Sequence, residues 1–295
     1  MENTSKKKNK KSVIAPYLMI SPFVLFFVLT ILIPVIVSFY FSFSQISSKI
    51  TFVGLDNYRV IFKDPAFIKS YVNVFIIMLG SIPITIFIAL VLSVLLNNPK
   101  IKGQGVFRTI YYLPAVTSIV AISSVFLAFY NPSGLFNTVL SMIGIAPKAW
   151  LNDPILVRVS MIILSIWLNV GYYTVMFLAG LQSISGQLYE SAEIDGASKI
   201  KQFFTITIPM LKPIVLMALV LSTINGLGAF EVPNILFKGG FGPQQAAMTV
   251  GVNLYKTSFE LVEFGRASAI AWTMVAVAVV FAIIQFKLGG KDNEA

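Results

Sequence analysis

Apolar blocks of twenty or more residues, nearly free of charge, recur along this chain, and they restrict its fold more than any other feature. A run of roughly 20 apolar residues is what a helix needs to cross a ~30 Å hydrocarbon layer. Within lipid, every backbone N–H and C=O must be satisfied inside the segment, which favours helices. Six such blocks can be read: Tyr17 to Phe39, Tyr71 to Leu96, Val106 to Phe129, Val157 to Leu181, Leu211 to Leu236 and Ala267 to Phe286. The expected fold is an all-α integral membrane protein of six transmembrane helices. Pro34, Pro83 and Pro114 lie inside these blocks, where neighbouring helices can re-satisfy the freed backbone groups. A charged share of only 12%, about half that of an ordinary soluble domain, points the same way.

The chain has no cysteine and no histidine, which excludes thiolate chemistry, imidazole catalysis, disulfides and most zinc sites. No pair of acids falls within the spans, so no hydrolytic constellation for an intramembrane enzyme can be assembled. A net charge of +10 would suggest a nucleic-acid partner in a soluble protein, but here the basic residues flank the apolar blocks and read as topology signals, with no nucleic acid expected. The Lys-rich start, with Lys6, Lys7, Lys8, Lys10 and Lys11, precedes a block too long for a signal-peptide core of roughly 7–15 residues. It reads as a cytoplasmic tail before a retained anchor.

With that tail inside, Lys100, Lys102, Arg108, Lys199, Lys201, Lys212, Lys287 and Lys291 also fall on the inner face. The bias toward the inside is moderate and predicts both termini in the cytoplasm. The expected organisation is a basic tail (1–15), a first span with an outer loop (16–70), a five-helix core (71–287) and a short cytoplasmic tail (288–295).

The inner connection Gln182 to Met210 is longer than a simple turn requires and predicts structure of its own. Ser185 or Gly186 can cap a helix start, Glu190 and Glu193 suit its first turns, and Gly196 supplies a left-handed stop. A second short helical run, Ser198 to Phe204, leads to Pro209, which can open the next span. Glu190-Ser191-Ala192, three residues, Gly196, nine residues, Ile206, one residue, Ile208-Pro209 resembles the EAA loop of ABC-importer permeases, with Ser191 for Ala and Ile208 for Leu. Gly54-Leu55-Asp56-Asn57-Tyr58, Asn73, Phe107-Arg108-Thr109-Ile110-Tyr111-Tyr112-Leu113-Pro114 and Gly265-Arg266-Ala267-Ser268-Ala269 extend the likeness. They narrow it to the carbohydrate-uptake branch that includes the maltose-type and glycerol-phosphate-type permeases. Ser185-Gly186 stands where that family often has Ile-Pro, and Gly239-Gly240-Phe241-Gly242-Pro243 where Gly-Gly-Pro is usual.

The resemblance implies a type I ABC importer permease fold and a cytoplasmic coupling helix carrying Glu190, Ser191, Ala192, Asp195 and Gly196. It also implies the partners: a homologous second permease subunit, a dimer of ATP-binding cassette ATPase subunits that holds ATP and Mg, an extracellular or periplasmic solute-binding protein, and a sugar substrate crossing the cytoplasmic membrane. Read without the pattern, Glu190 and Asp195 are solvated loop acids and Gly196 a plain helix stop. The chain has no nucleotide-binding Gly-x-x-x-x-Gly-Lys-Ser/Thr loop; Gly289-Gly290-Lys291 lacks the preceding glycine and the hydroxyl.

Two spans carry polar residues at mid-depth, where such groups tend to face a cavity or a partner. Ser165, Leu168, Asn169 and Tyr172 share one face by their spacing, as do Ser222, Asn225, Gly226 and Ala229. In maltose-type relatives the sugar is contacted from these two helices, so the resemblance places substrate contacts at Leu168, Asn169, Tyr172, Ser222, Asn225 and Gly226. Tyr172, Trp167 or Tyr173 can lie against a pyranose face. Helix packing is the competing reading, preferred for Gly226 and Ala229. Glu231 falls near the outer end of span five, as a vestibule or interface group. An ABC importer of a polyamine would call for an acidic mid-membrane site, and a free-standing secondary transporter for an ion or proton relay, and the spans are nearly bare of ionisable groups.

Overall fold

The computed structural model describes residues 10–98, 103–239 and 241–289. Lys6, Lys7, Lys8, Lys100, Lys102, Gly240, Gly290 and Lys291 lie outside the described residues. Among the described residues five helices are long and apolar enough to cross a membrane: Pro16–Ser42, Pro65–Leu96, Pro154–Gln182, Lys199–Leu227 and Phe264–Gly289. A bent pair, Gln104–Val116 and Ile119–Phe129, whose axes differ by 98°, brings the candidate crossings to six if the two pieces count as one span.

The first crossing consists of α1 (Lys10–Phe27), a π-helical turn (Val28–Leu32) and α2 (Ile33–Ser42). Proline cannot donate to the carbonyl four residues back, and its ring crowds that carbonyl. For Pro34 that residue is Thr30, inside the π turn, where one extra residue per turn relieves the crowding. The same device recurs lower in the chain. α10 (Lys199–Gln202) continues through a π turn (Phe203–Thr207) into α11 (Ile208–Leu227), and the partner that Pro209 cannot use, Thr205, again lies in the π turn. Pro209 thus sits inside a continuous helix instead of opening one.

After α2, β1 (Ser44–Ile46) and β2 (Ile50–Phe52) form a small antiparallel hairpin followed by α3 (Asp56–Lys63). Asn57 donates to the carbonyls of Ser42 and Ser44, 3.0 and 2.9 Å away, and the Tyr58 hydroxyl donates to Ser42 Oγ. The Gly-Leu-Asp-Asn-Tyr motif is therefore a clamp that fixes the end of the first crossing. α4 (Pro65–Leu96) starts six residues before the expected span, because Asp64 caps it by accepting from the Ala66 amide.

α4 is the central post. It packs most extensively on α8 (Pro154–Gln182). Apolar helices gain little by leaving lipid for each other, so close approach and shape hold the bundle together. Ile86, Ala89 and Leu90 of α4 meet Tyr173, Phe177 and Leu181 of α8 and Leu211 and Ala218 of α11 in the inner half. In the outer half, Phe67, Val74 and Met78 meet Leu227, Ala269 and Ile270, the last two from α14 (Phe264–Gly289). Gly171 lets α8 touch the Tyr111 backbone of α5 (Gln104–Val116); any side chain at 171 would collide with that main chain.

Two expected spans are broken. Span three bends between α5 and α6 (Ile119–Phe129), at Thr117 and Ser118. Span five ends at Leu227, and after Gly228, Ala229 and Phe230 the chain restarts as α12 (Glu231–Leu236). The outer pieces pack on each other, with Ile122 and Phe126 against Leu236. The connection 131–153 contains α7 (Leu135–Met142). Asn137 organises it, accepting from Lys148 N and Trp150 Nε1 while donating to the Lys148 carbonyl. Burial pushes the Tyr130 phenol well above its ordinary range, although the hydroxyl donates to the Ser160 carbonyl at 2.7 Å.

Candidate functional site: a cavity at the broken helices and a lever beneath it

A cavity of about 430 Å³ opens between α4, α8, α11 and the start of α12. Leu168, Asn169, Ser222, Asn225 and Gly226 all line it. Tyr172 does not: it is 42% exposed and lies ring to ring with Tyr173. One residue on, a 100° rotation takes Tyr173 inward, where it is 2% exposed and forms part of the wall. Trp167 joins the outer aromatic cluster through Phe126 and is not part of the wall.

The wall offers hydrogen-bond acceptors. Ser222 spends its hydroxyl proton on the Ala218 carbonyl and Asn169 spends an amide proton on the Ser165 carbonyl, so their oxygens remain available to a donor in the cavity. The Tyr173 hydroxyl faces Ser222 and Asn225. Gly226 also has a packing role, because a Cβ there would sit 2.8 Å from Met78 Cγ. Ser81 and Thr85 of α4 complete the polar lining. The sequence reading passes over them, yet their four-residue spacing in the middle of span two carries the same signal as the pairs in spans four and five.

One turn along α4 from the lining residue Ile77, Asn73 is fully buried. Its amide donates to the Gln245 and Met248 carbonyls at 2.8 and 2.9 Å, and its oxygen accepts from Arg158 Nε and Nη2 at 3.1 and 2.9 Å. One side chain thus joins α4, α8 and the outer loop around Pro243–Gln245.

Between α8 and α10, α9 (Gly186–Ile194) carries Glu190, Ser191 and Ala192, with Asp195 as its C-cap residue. Ser185 stands at the N-cap position without a side-chain bond. The helix ends in a two-bond cap: Ala197 N donates to the Ala192 carbonyl at 2.9 Å and Gly196 N to the Glu193 carbonyl at 3.0 Å. Gly196 has φ +74°, the left-handed conformation this cap requires. Ile194 is 87% exposed, Ile200 74% and Phe204 64%.

α9 is tied to α10 and to the π turn beyond it. Glu193 pairs with Lys199, Gln202 donates to the Ala197 carbonyl, and the Tyr189 hydroxyl and Thr207 Oγ1 share a hydrogen bond at 3.0 Å. The hydrogen bond and charge of Lys199 hold the Glu193 carboxyl below the usual carboxylate range. The segment α9–α10 therefore connects α8 and α11, two helices whose residues line the cavity.

Residues 63–289 match the model of the binding-protein-dependent transport system inner membrane component family. The lactose transport system permease protein LacF of Rhizobium radiobacter is 36% identical over 238 residues, 80% of each chain. The trehalose/maltose transport system permease protein MalF of Thermococcus litoralis is 34% identical over 291 residues, 97% of each chain. A solved bacterial ABC transporter involved in import of the acidic polysaccharide alginate contains a chain of similar fold, with a TM-score of 0.83, 25% identity, and coverage of 96% of this chain and 98% of that one. A cavity lined by several polar side chains, a short exposed helix linking two of its walls and a match over most of the sequence agree: this chain belongs to the binding-protein-dependent inner membrane component family of ABC transporter permeases.

Proposed function

We propose that this chain is one permease subunit of an ABC importer that carries a sugar or oligosaccharide across the cytoplasmic membrane, crossing it six times with both termini inside. The observation that carries this reading is the exposed helix α9, fastened to α10 and placed between the two helices that wall the cavity. Energy has to come from another chain, because this sequence has no phosphate-binding loop. ATP and Mg are held by a pair of ATPase subunits, which receive Glu190, Ser191, Ala192, Asp195 and Gly196 at their surface. A homologous permease supplies the opposing wall of the pathway, and a solute-binding protein delivers the sugar at the outer face.

Leu168, Asn169, Ser222, Asn225 and Gly226 form this chain's share of the solute path, with Tyr173 in the role first given to Tyr172. Acceptor oxygens on the wall suit the hydroxyl donors of a saccharide. A rigid displacement of α9 moves both attached helices, and the breaks at Thr117–Ser118 and Gly228–Phe230 allow the outer pieces to respond separately.

Co-purification is the first test: the complex should contain a second permease, ATPase and binding protein, and the ligand of the last names the sugar. In the reconstituted complex, G196D should lower ligand-stimulated ATP hydrolysis by about tenfold or more, which corresponds to about 1.4 kcal/mol of lost coupling. G196N separates two causes, since asparagine tolerates the left-handed conformation: recovery points to backbone shape, continued loss to close approach of the partner. Full stimulated activity in G196D would remove the coupling role.

A further inference from the structure

Glu231 is the one carboxylate or cation among the residues lining the cavity. It follows directly on the break in span five, exposed toward the cavity, at the start of α12. Phe230 beside it is held by Tyr255, ring centroids 4.5 Å apart, which fixes the backbone that presents the carboxylate. Among the described residues no cation pairs with it, and three basic groups of the same half of the molecule are engaged elsewhere. Arg158 is bonded to Asn73, Arg266 to Glu263, and Lys256 lies 4.7 Å from the centre of the Phe241 ring. This chain therefore contributes a neutral, acceptor-rich wall with a single unbalanced negative charge.

We infer that Glu231 is a charge filter on the solute path, admitting neutral and amine-bearing saccharides and disfavouring acidic ones. The inference rests on the cavity being the path proposed above. A lone charge between low-dielectric walls is poorly screened, so an incoming ion of like sign is depleted and one of opposite sign enriched, each by about tenfold or more. A saccharide carrying a carboxylate or phosphate meets that repulsion at the point where span five opens, whereas hydroxyl groups meet an acceptor.

The absence of cysteine from the chain provides a readout independent of the sugar. With A229C as reporter in the assembled transporter, the reaction rates of a cationic and an anionic thiosulfonate of equal size are compared, each divided by its rate with a free thiol. The expected cation-to-anion ratio is about tenfold or more, falling toward one in A229C/E231Q and retained in A229C/E231D. A ratio near one with Glu231 present, or one unchanged by E231Q, overturns the filter while leaving the path intact. Complete protection of the reporter from both reagents, in a complex that still hydrolyses ATP, overturns the path itself and the filter with it. In transport, E231Q should raise uptake of an acidic saccharide relative to a neutral one of equal length. No rise in that ratio would also overturn the filter.

Discussion

Asn73 shows how much one side chain can organise. It is fully buried, and its amide satisfies two loop carbonyls while its oxygen accepts from the Arg158 guanidinium. Buried polar groups left unpaired cost ~1–3 kcal/mol each, more when one is charged, so the network stabilises only as a whole. N73A should lower the melting temperature of the purified complex, by an amount equivalent to roughly 3 kcal/mol. N225A, which removes a cavity group that is exposed and not part of that network, should change it much less. Equal melting curves for N73A and the unaltered protein would mean that Arg158 and the loop find other partners. Asn73 and Asn225 cannot be told apart by residue type. Spacing puts each at mid-block or block edge, and only the packing reveals that one is a brace and the other a wall.

At the scale of elements, the proposed lever, α9 with α10, is held by few contacts, one of them Glu193 with Lys199. The pair lowers the Glu193 pKa below 4.5. A carboxyl held low contributes order that is fully present above its ordinary value and lost as pH falls through the lowered one. At neutral pH, K199M should therefore speed amide exchange in α9 and α10 relative to the unaltered chain. The two should converge in acid well below the carboxylate range, and high salt should narrow the difference because the pair is exposed. Identical exchange at neutral pH would assign the lever's order to the Gln202 and Tyr189 hydrogen bonds alone. The π turn just after α10 carries Thr207, the partner of Tyr189. The irregularity forced by Pro209 is thus also the point where the lever is gripped.

For the whole molecule, the first candidate crossing stands out among those of the described residues as the least covered. None of its most apolar window is buried within the chain, against 44% for the crossing formed by α4. Lipid and the second permease are the expected neighbours of that face. The proposed orientation puts α9 in the cytoplasm and the α6–α7 connection outside. In a chain without native cysteine, E190C should react with a membrane-impermeant thiol reagent only from the cytoplasmic side, and S133C only from the outside. The reverse pattern would invert the topology and separate the lever from any ATPase.

The sequence alone determined the number and approximate place of the apolar blocks, the presence of a structured inner connection and the family, because block length, charge and motif spacing are properties of the linear chain. Tertiary structure decided the rest. The apolar block Val106 to Phe129 contains a 98° bend, and the helix of span five stops at Leu227 although the chain stays apolar through Phe230. Which face of α8 turns inward was equally invisible, since Tyr172 and Tyr173 are chemically the same and only the fit of α8 against α4 and α5 selects between them. Inside lipid, hydrophobicity no longer distinguishes one face of a helix from another, so shape complementarity between neighbours sets bend and rotation.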